Sequence, residues 1–164
     1  MTYEYEYPMP AATATIVPFV FSDTSTLRVM VGLRTPDSDA FPNTYCVPGG
    51  FLNVDQEELI DTACRELEEE TGVLVEKGRL TLFDVFSNPK TDPRAHVVNV
   101  CYWAEITFDE WVHAQPGDDI VRLDLTDLGE DDDVPMKLAF NHNEIVRSAA
   151  EHYIETRSRW FDKS

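Results

Sequence analysis

The sequence predicts a mixed α/β or α+β fold, a single domain over residues 1–164, and three observations carry that expectation. Apolar, β-branched runs of strand length recur along the chain, and segments of helical periodicity interrupt and end them. The chain is long enough to bury a sizeable core, and its 43% hydrophobic and 27% charged residues are an ordinary globular balance. No repeat, low-complexity tract or linker divides it.

Residues 11–21 and 27–33 read as strands, with turn chemistry between them at Ser22-Asp23-Thr24-Ser25. Thr35 to Asn43 is a loop rich in Pro, Asp and Ser. Thr44 to Val47 is a short strand that Pro48-Gly49-Gly50 stops. The strongest helical segment runs from about Gln56 to Thr71. Asp55 is its expected N-cap, Glu58 completes a capping box, and Gly72 closes the helix in a left-handed conformation. Further strands are expected near 80–86, 96–106 and 120–125. An acidic loop, Glu130 to Asp133, leads into a last helix from Asn141. There Asn141 and Glu144 repeat the capping-box spacing, and Ile145, Ala149 and Tyr153 form an apolar stripe.

A net charge of −18 argues against binding nucleic acid through a broad basic surface. It also repels phosphorylated small molecules at long range, so a site for one needs divalent cations, locally placed arginines, or both. No apolar stretch approaches the roughly 20 residues that span a bilayer. Residues 1–7 lack the basic and apolar regions of a signal peptide. Cys46, Cys64 and Cys101 fit neither a disulfide framework nor a metal-ligand spacing. The expectation is a cytoplasmic protein with no membrane and no nucleic-acid partner.

The acidic helix carries the chemistry. At about 100° per residue, Thr62, Arg65, Glu66, Glu69 and Glu70 share one face, opposite Ile60, Ala63, Cys64 and Leu67. Carboxylates three and four apart repel by some tenths of a kcal/mol per pair, which a bound divalent ion relieves. Alone, such a run is more often a solvated face. Two neighbours reverse that balance: Gly49-Gly50 can offer backbone carbonyls at close approach, and Arg65 can pin a carboxylate.

Gly50, Glu57, Arg65-Glu66-Leu67, Glu69-Glu70, Gly72 and Val73 together resemble the Nudix box. Six residues separate Gly50 from Glu57, one more than the usual pattern, so Gln56 or Glu57 fills the first Glu position. The resemblance implies an α/β/α sandwich around a mixed sheet. It implies Mg²⁺ or Mn²⁺ on Glu66, Glu69, Glu70 and the Gly49 carbonyl, with Glu66, Arg65 and Glu69 catalytic and Arg65 orienting Glu66. Glu57 and Gly72 are structural parts of the motif. The proton acceptor is either Glu66 or an acid of the Glu130–Asp133 loop.

Tyr7-Pro8, Pro10-Ala11, Arg34, residues 87–94, Gly117-Asp118-Asp119 and residues 138–142 are similar to one Nudix branch, the ADP-ribose pyrophosphatases and nicotinamide-metabolism repressors. This implies a nucleotide-derived small-molecule substrate, ADP-ribose or a nearby adenine dinucleotide, cleaved to AMP and ribose 5-phosphate. It also implies a homodimer, for which Tyr3 to Tyr7 is a candidate exchanged or edge segment. Two alternatives stand beside it: a nucleoside triphosphate pyrophosphohydrolase, and a non-catalytic ADP-ribose-sensing module. Against the sensor, the repressors add a DNA-binding segment, whereas the 24 residues from Asn141 onward suffice for one helix.

Arg34, Gly50, Phe51 and Arg94 are the expected substrate contacts. Guanidinium groups suit phosphate oxygens, and an aromatic ring can stack on a base. The competing roles are an ion pair for Arg34, a core position for Phe51, and for Arg94 the fixing of its own turn beside Asp92. His96 and His142 are expected to be structural, and Asp118 and Asp119 to shape a turn.

Overall fold

The computed structural model describes residues 4–21, 26–129 and 133–161, the side chains of Trp160 and Phe161 excepted. The expected turn at Ser22–Ser25 and Glu130, Asp131 and Asp132 of the acidic loop lie outside the described residues.

Strand β1 (Ala11–Phe21) is the spine of a mixed sheet. It runs parallel to β6 (Val97–Ile106) over ten paired residues, from Ala11↔Val97 to Val20↔Ile106. Its other edge is shared: Phe19 to Phe21 pair with β2 (Leu27–Arg34), and Thr13 to Thr15 pair with β4 (Gly49–Phe51), both antiparallel. Pro18 has no N–H to offer a ladder and stands where the edge passes from one partner to the other. Strands β3 (Tyr45–Cys46) and β7 (Ile120–Asp127) pair with β2, and β5 (Thr81–Phe86) pairs with β6.

Helices cover both faces, giving an α/β/α sandwich. On one face Ala14, Ile16, Val20, Met30, Tyr102 and Ala104 pack with Ala63 and Leu67 of α1 (Leu59–Thr71). On the other, Val17, Phe19, Val29, Val31, Cys101 and Trp103 pack with Ile145, Val146, Ala149 and Tyr153 of α3 (His142–Phe161). Alternate β1 residues therefore feed two cores, which is why the strand reads as a continuous apolar run. Burying a side chain such as Leu67 or Ile145 contributes about 1.5–3 kcal/mol.

Helix α1 begins later than expected. Glu58 is its N-cap, and Asp61 completes the capping box. Asp55 instead takes a left-handed φ of 65° in the preceding turn. The Glu57 carboxylate, just before the helix, accepts from Thr62 and Arg65. Gly72 ends α1 at φ 70°, its N–H reaching the Glu68 carbonyl.

Gly49-Gly50, read as a strand stop, opens β4. A Cβ on Gly49 would lie 2.6 Å from the Ala14 carbonyl oxygen, so the close pairing with β1 requires glycine. A short helix not expected from the sequence, α2 (Phe108–His113), follows β6 and opens on a Thr107/Glu110 capping box. Among the described residues, no helix is long and apolar enough to cross a membrane.

Candidate active site

One cavity of about 330 Å³ gathers residues from α1, β4, the end of β2, the loop before β6, the turn before β7 and the start of α3. Its acidic wall comes from α1. Glu66 and Glu70 line it and are only 8% and 4% exposed, although the helical wheel had grouped them as a polar face. Strand β4 covers them. Gly50 packs against the Glu66 carboxylate, and the Gly49 N–H donates to Glu70 Oε2 at 3.3 Å. Burial raises both carboxyl pKa values, Glu70 well above the ordinary range with Glu66 and Asp119 adding repulsion. Glu69 points elsewhere: its side chain is about half exposed and does not line the cavity.

Arg65 ties these acids together. Nε and Nη2 donate to Glu57 at 3.0 and 2.8 Å, Nη1 to Glu66 at 2.6 Å and Glu69 at 3.0 Å, and Nη2 to the Phe51 carbonyl at 3.0 Å. Five bonds exhaust the five N–H groups of a guanidinium. These hydrogen bonds hold the Glu57 carboxyl down at about 2. Arg65 thus links β4 to α1 and aims Glu66, with no donor left for a ligand.

The donor set fits a hard divalent cation, since Glu66 and Glu70 are oxygen ligands whose buried charge is incompletely compensated. Among the described residues, no three His, Cys, Asp or Glu side chains gather into a finished metal cage. A cation there would draw remaining ligands from water and substrate phosphate, as Mg²⁺ commonly does.

Arg34 is a buried residue at the end of β2. Its Nε donates to the Ala40 carbonyl at 3.0 Å and its Nη2 pairs with Asp119 at 2.8 Å. Asp119 also accepts from Ser38, and its carbonyl accepts from the Thr35 N–H, so the 35–43 loop is anchored to the turn before β7. Gly117 joins that turn to α1: its N–H donates to the Glu70 carbonyl, and a Cβ there would lie 2.4 Å from the Glu69 carbonyl oxygen. Between them, Asp118 takes a left-handed φ of 49° at the cavity rim, where its charge helps raise the Glu66 pKa. Its Gly-Asp-Asp context signals a turn and carries no mark of this second placement.

Arg94 fixes its own turn, as its sequence context allowed, and also faces the cavity. It pairs with Asp92 across the turn, and it lines the cavity with its guanidinium carbon 4.9 Å from the Phe51 ring. His142 is buried at the start of α3, where Nδ1 accepts from the Val47 N–H at 3.2 Å; burial, then Arg34, lowers its pKa to about 3. His96 is exposed and bonds the Ser87 carbonyl. Asp133, the described acid of the acidic loop, pairs with Arg147 and does not line the cavity. The cavity also holds a buried Thr15–Asn99 pair that sequence reasoning missed, two polar residues within largely apolar strands.

A NUDIX domain profile matches residues 10–148. The chain is 33% identical to the ADP-ribose pyrophosphatase of Methanocaldococcus jannaschii over 110 residues, 67% of this chain and 59% of that protein. It is 27% identical over 151 residues to the ADPR responsive transcriptional repressor NtrR of Acinetobacter baylyi, 88% of this chain and 54% of that one. The chain therefore spans somewhat over half the length of these curated relatives. In three dimensions it is similar to the NUDIX domain of Shewanella oneidensis NrtR complexed with ADP ribose, with a TM-score of 0.77 and 25% identity, covering 92% of this chain and 94% of that one.

Proposed function

The chain belongs to the NUDIX family, and from that premise we propose that it hydrolyses a nucleoside diphosphate linked to another group, ADP-ribose first among them, to AMP and ribose 5-phosphate. The observation that carries this reading is the pair of buried carboxylates, Glu66 and Glu70, set under Gly49-Gly50 at one wall of a cavity with Arg34 and Arg94 on the others. A likeness to an ADP-ribose pyrophosphatase and to a domain complexed with ADP ribose supports the choice of substrate.

Nudix hydrolases generally use divalent metals. Here Mg²⁺ or Mn²⁺ would sit on Glu66, Glu70 and the Gly49 carbonyl, neutralising the diphosphate and activating a water, while Glu69, expected as a ligand, turns out of the cavity toward Arg65. Arg65 keeps Glu66 aimed into the cavity. Arg34, Gly50, Phe51 and Arg94 line the path of the substrate. As water adds to one phosphorus and the bridging P–O bond breaks, Glu66, held at the cavity wall by Arg65, would accept the water proton.

The test is a product-release screen with Mg²⁺ across ADP-ribose, NADH, diadenosine polyphosphates and dNTPs. Fastest turnover of ADP-ribose is expected. Faster turnover of a dNTP would replace this reading with triphosphate cleavage. Tight ADP-ribose binding without turnover would replace it with ligand sensing, the role named for the NtrR relative.

A further inference from the structure

Arg94 differs from the other two arginines of the cavity. Arg65 has every N–H engaged. Arg34 is sealed, its side chain 8% exposed and its charge matched by Asp119. Arg94 gives Nε–H and one Nη2–H to Asp92, at 3.0 and 2.8 Å, and its other three N–H groups have no hydrogen-bond acceptor among the described residues. Its side chain is 37% exposed.

Three residues hold that guanidinium in one plane. Asp92 is nearly buried, and it takes the Arg94 backbone N–H at 2.9 Å as well as the side-chain fork. Burial works against its charge, but the Arg94 bonds outweigh it and lower its pKa. Swinging Arg94 away would strand a buried carboxylate, which is costly. The Phe51 and Phe140 rings lie 4.9 and 5.6 Å from the guanidinium carbon. Phe140 sits at φ 55°, a strained conformation for a bulky residue, and packs on Phe41 and His142.

We propose that Asp92, Phe51 and Phe140 position Arg94 as a rigid fork for one phosphoryl oxyanion of the substrate, the phosphoryl that the acidic helix does not hold. This rests on the diphosphate reading above. Phe51 is the divider: its carbonyl accepts from Arg65, and its ring faces Arg94. A diphosphate crossing Phe51 meets the acidic helix with one phosphoryl and the Arg94 fork with the other. Five carboxylates against three arginines line the cavity, so an anion needs an accessible cation, and Arg94 is the most exposed of the three guanidiniums. The Phe51 ring then serves as a backing for Arg94 and not as a platform for a base.

Calorimetric titration of the chain in EDTA with ribose 5-phosphate, AMP and inorganic phosphate, with ribose as the unphosphorylated control, reads the fork without turnover. Arg94→Gln and Arg94→Lys should each weaken binding of a phosphorylated ligand about tenfold or more, because lysine keeps the charge and loses the planar fork. Whether AMP or ribose 5-phosphate is the ligand affected identifies the half of the substrate that the fork holds. Wild-type affinity in Arg94→Lys would overturn the fork. Wild-type affinity in Arg94→Gln, or no phosphate binding by the unmodified chain, would overturn the contact altogether. Phe140→Leu should weaken binding and raise KM more than it lowers kcat, and Phe140→Tyr should rescue both; an unaffected Phe140→Leu would remove Phe140 from the device. If Phe140→Leu does not fold, Asp92→Asn takes its place with the same expectation. Arg94-dependent phosphate binding in a chain that hydrolyses nothing would sink the hydrolase and keep the fork. Hydrolysis with an unchanged KM in Arg94→Gln would do the reverse.

Discussion

Gly50 and Glu66 are packed so closely that a Cβ on Gly50 would lie 2.3 Å from Glu66 Oε1 and 2.4 Å from its Cδ. The carboxylate cannot stay where it is if any side chain stands at position 50. Gly50→Ala is therefore expected to displace Glu66 and to lower kcat about 100-fold, the scale of a misplacement near 1 Å. Circular dichroism should show the fold retained. Near-normal turnover in Gly50→Ala would mean that Glu66 does not act from this position.

Arg65 should be replaceable by no other cation. Arg65→Lys keeps one positive charge and loses the geometry that joins Glu57, Glu66, Glu69 and Phe51. Urea unfolding should show a loss of about 2 kcal/mol, the scale of several charged hydrogen bonds after solvent screening. Turnover should fall together with stability, since Glu66 loses its brace.

His142 makes a pH prediction. Burial, then the nearby Arg34, lowers its folded-state pKa from 6.5 to about 3. In that window the unfolded chain binds a proton that the folded chain refuses. Its stabilising contribution is thus complete above 6.5 and is lost as pH falls toward 3. The slope approaches about 1.4 kcal/mol per pH unit. Unfolding free energies at several pH values should fall more steeply for the native chain than for His142→Gln. Parallel curves would show that the ring is not held neutral.

Asp118 separates strain from charge. Asparagine tolerates the left-handed backbone that Asp118 adopts, so Asp118→Asn should leave the unfolding midpoint nearly unchanged. Removing its charge beside Glu66 should nonetheless lower turnover about tenfold. Unchanged kinetics would reduce Asp118 to a turn residue.

Which of these residues the sequence makes visible follows from the range of the forces involved. Strand and helix periodicity are local, so β1, β6, α1 and α3 are legible from residue patterns alone. The motif from Gly50 to Gly72 is legible because one β4–α1 unit carries it. Burial of Glu66 and Glu70 is not, since it comes from β4 folding over the helix, which the helical wheel of α1 cannot register. Glu57, just before the late start of α1, likewise accepts from Arg65, eight residues on. Asp118, Asp119 and Phe140 reach the cavity only through the sheet's long-range order, and the segment of the two aspartates reads as a turn. Arg94 shows the limit from the other side. Its local pair with Asp92 was readable, while the rings that flank it come from β4 and from the approach to α3.

In the proposed reaction, Glu66 and Glu70 support metal-dependent cleavage of a nucleoside diphosphate. Its most direct test is product analysis by chromatography and mass spectrometry after incubation with ADP-ribose and Mg²⁺, comparing the native chain with Glu70→Gln and with an EDTA control. AMP and ribose 5-phosphate in equal amounts are expected from the native chain, with turnover lost in both Glu70→Gln and EDTA. Full activity in Glu70→Gln, or products unaffected by EDTA, would contradict a metal-dependent role for Glu66 and Glu70.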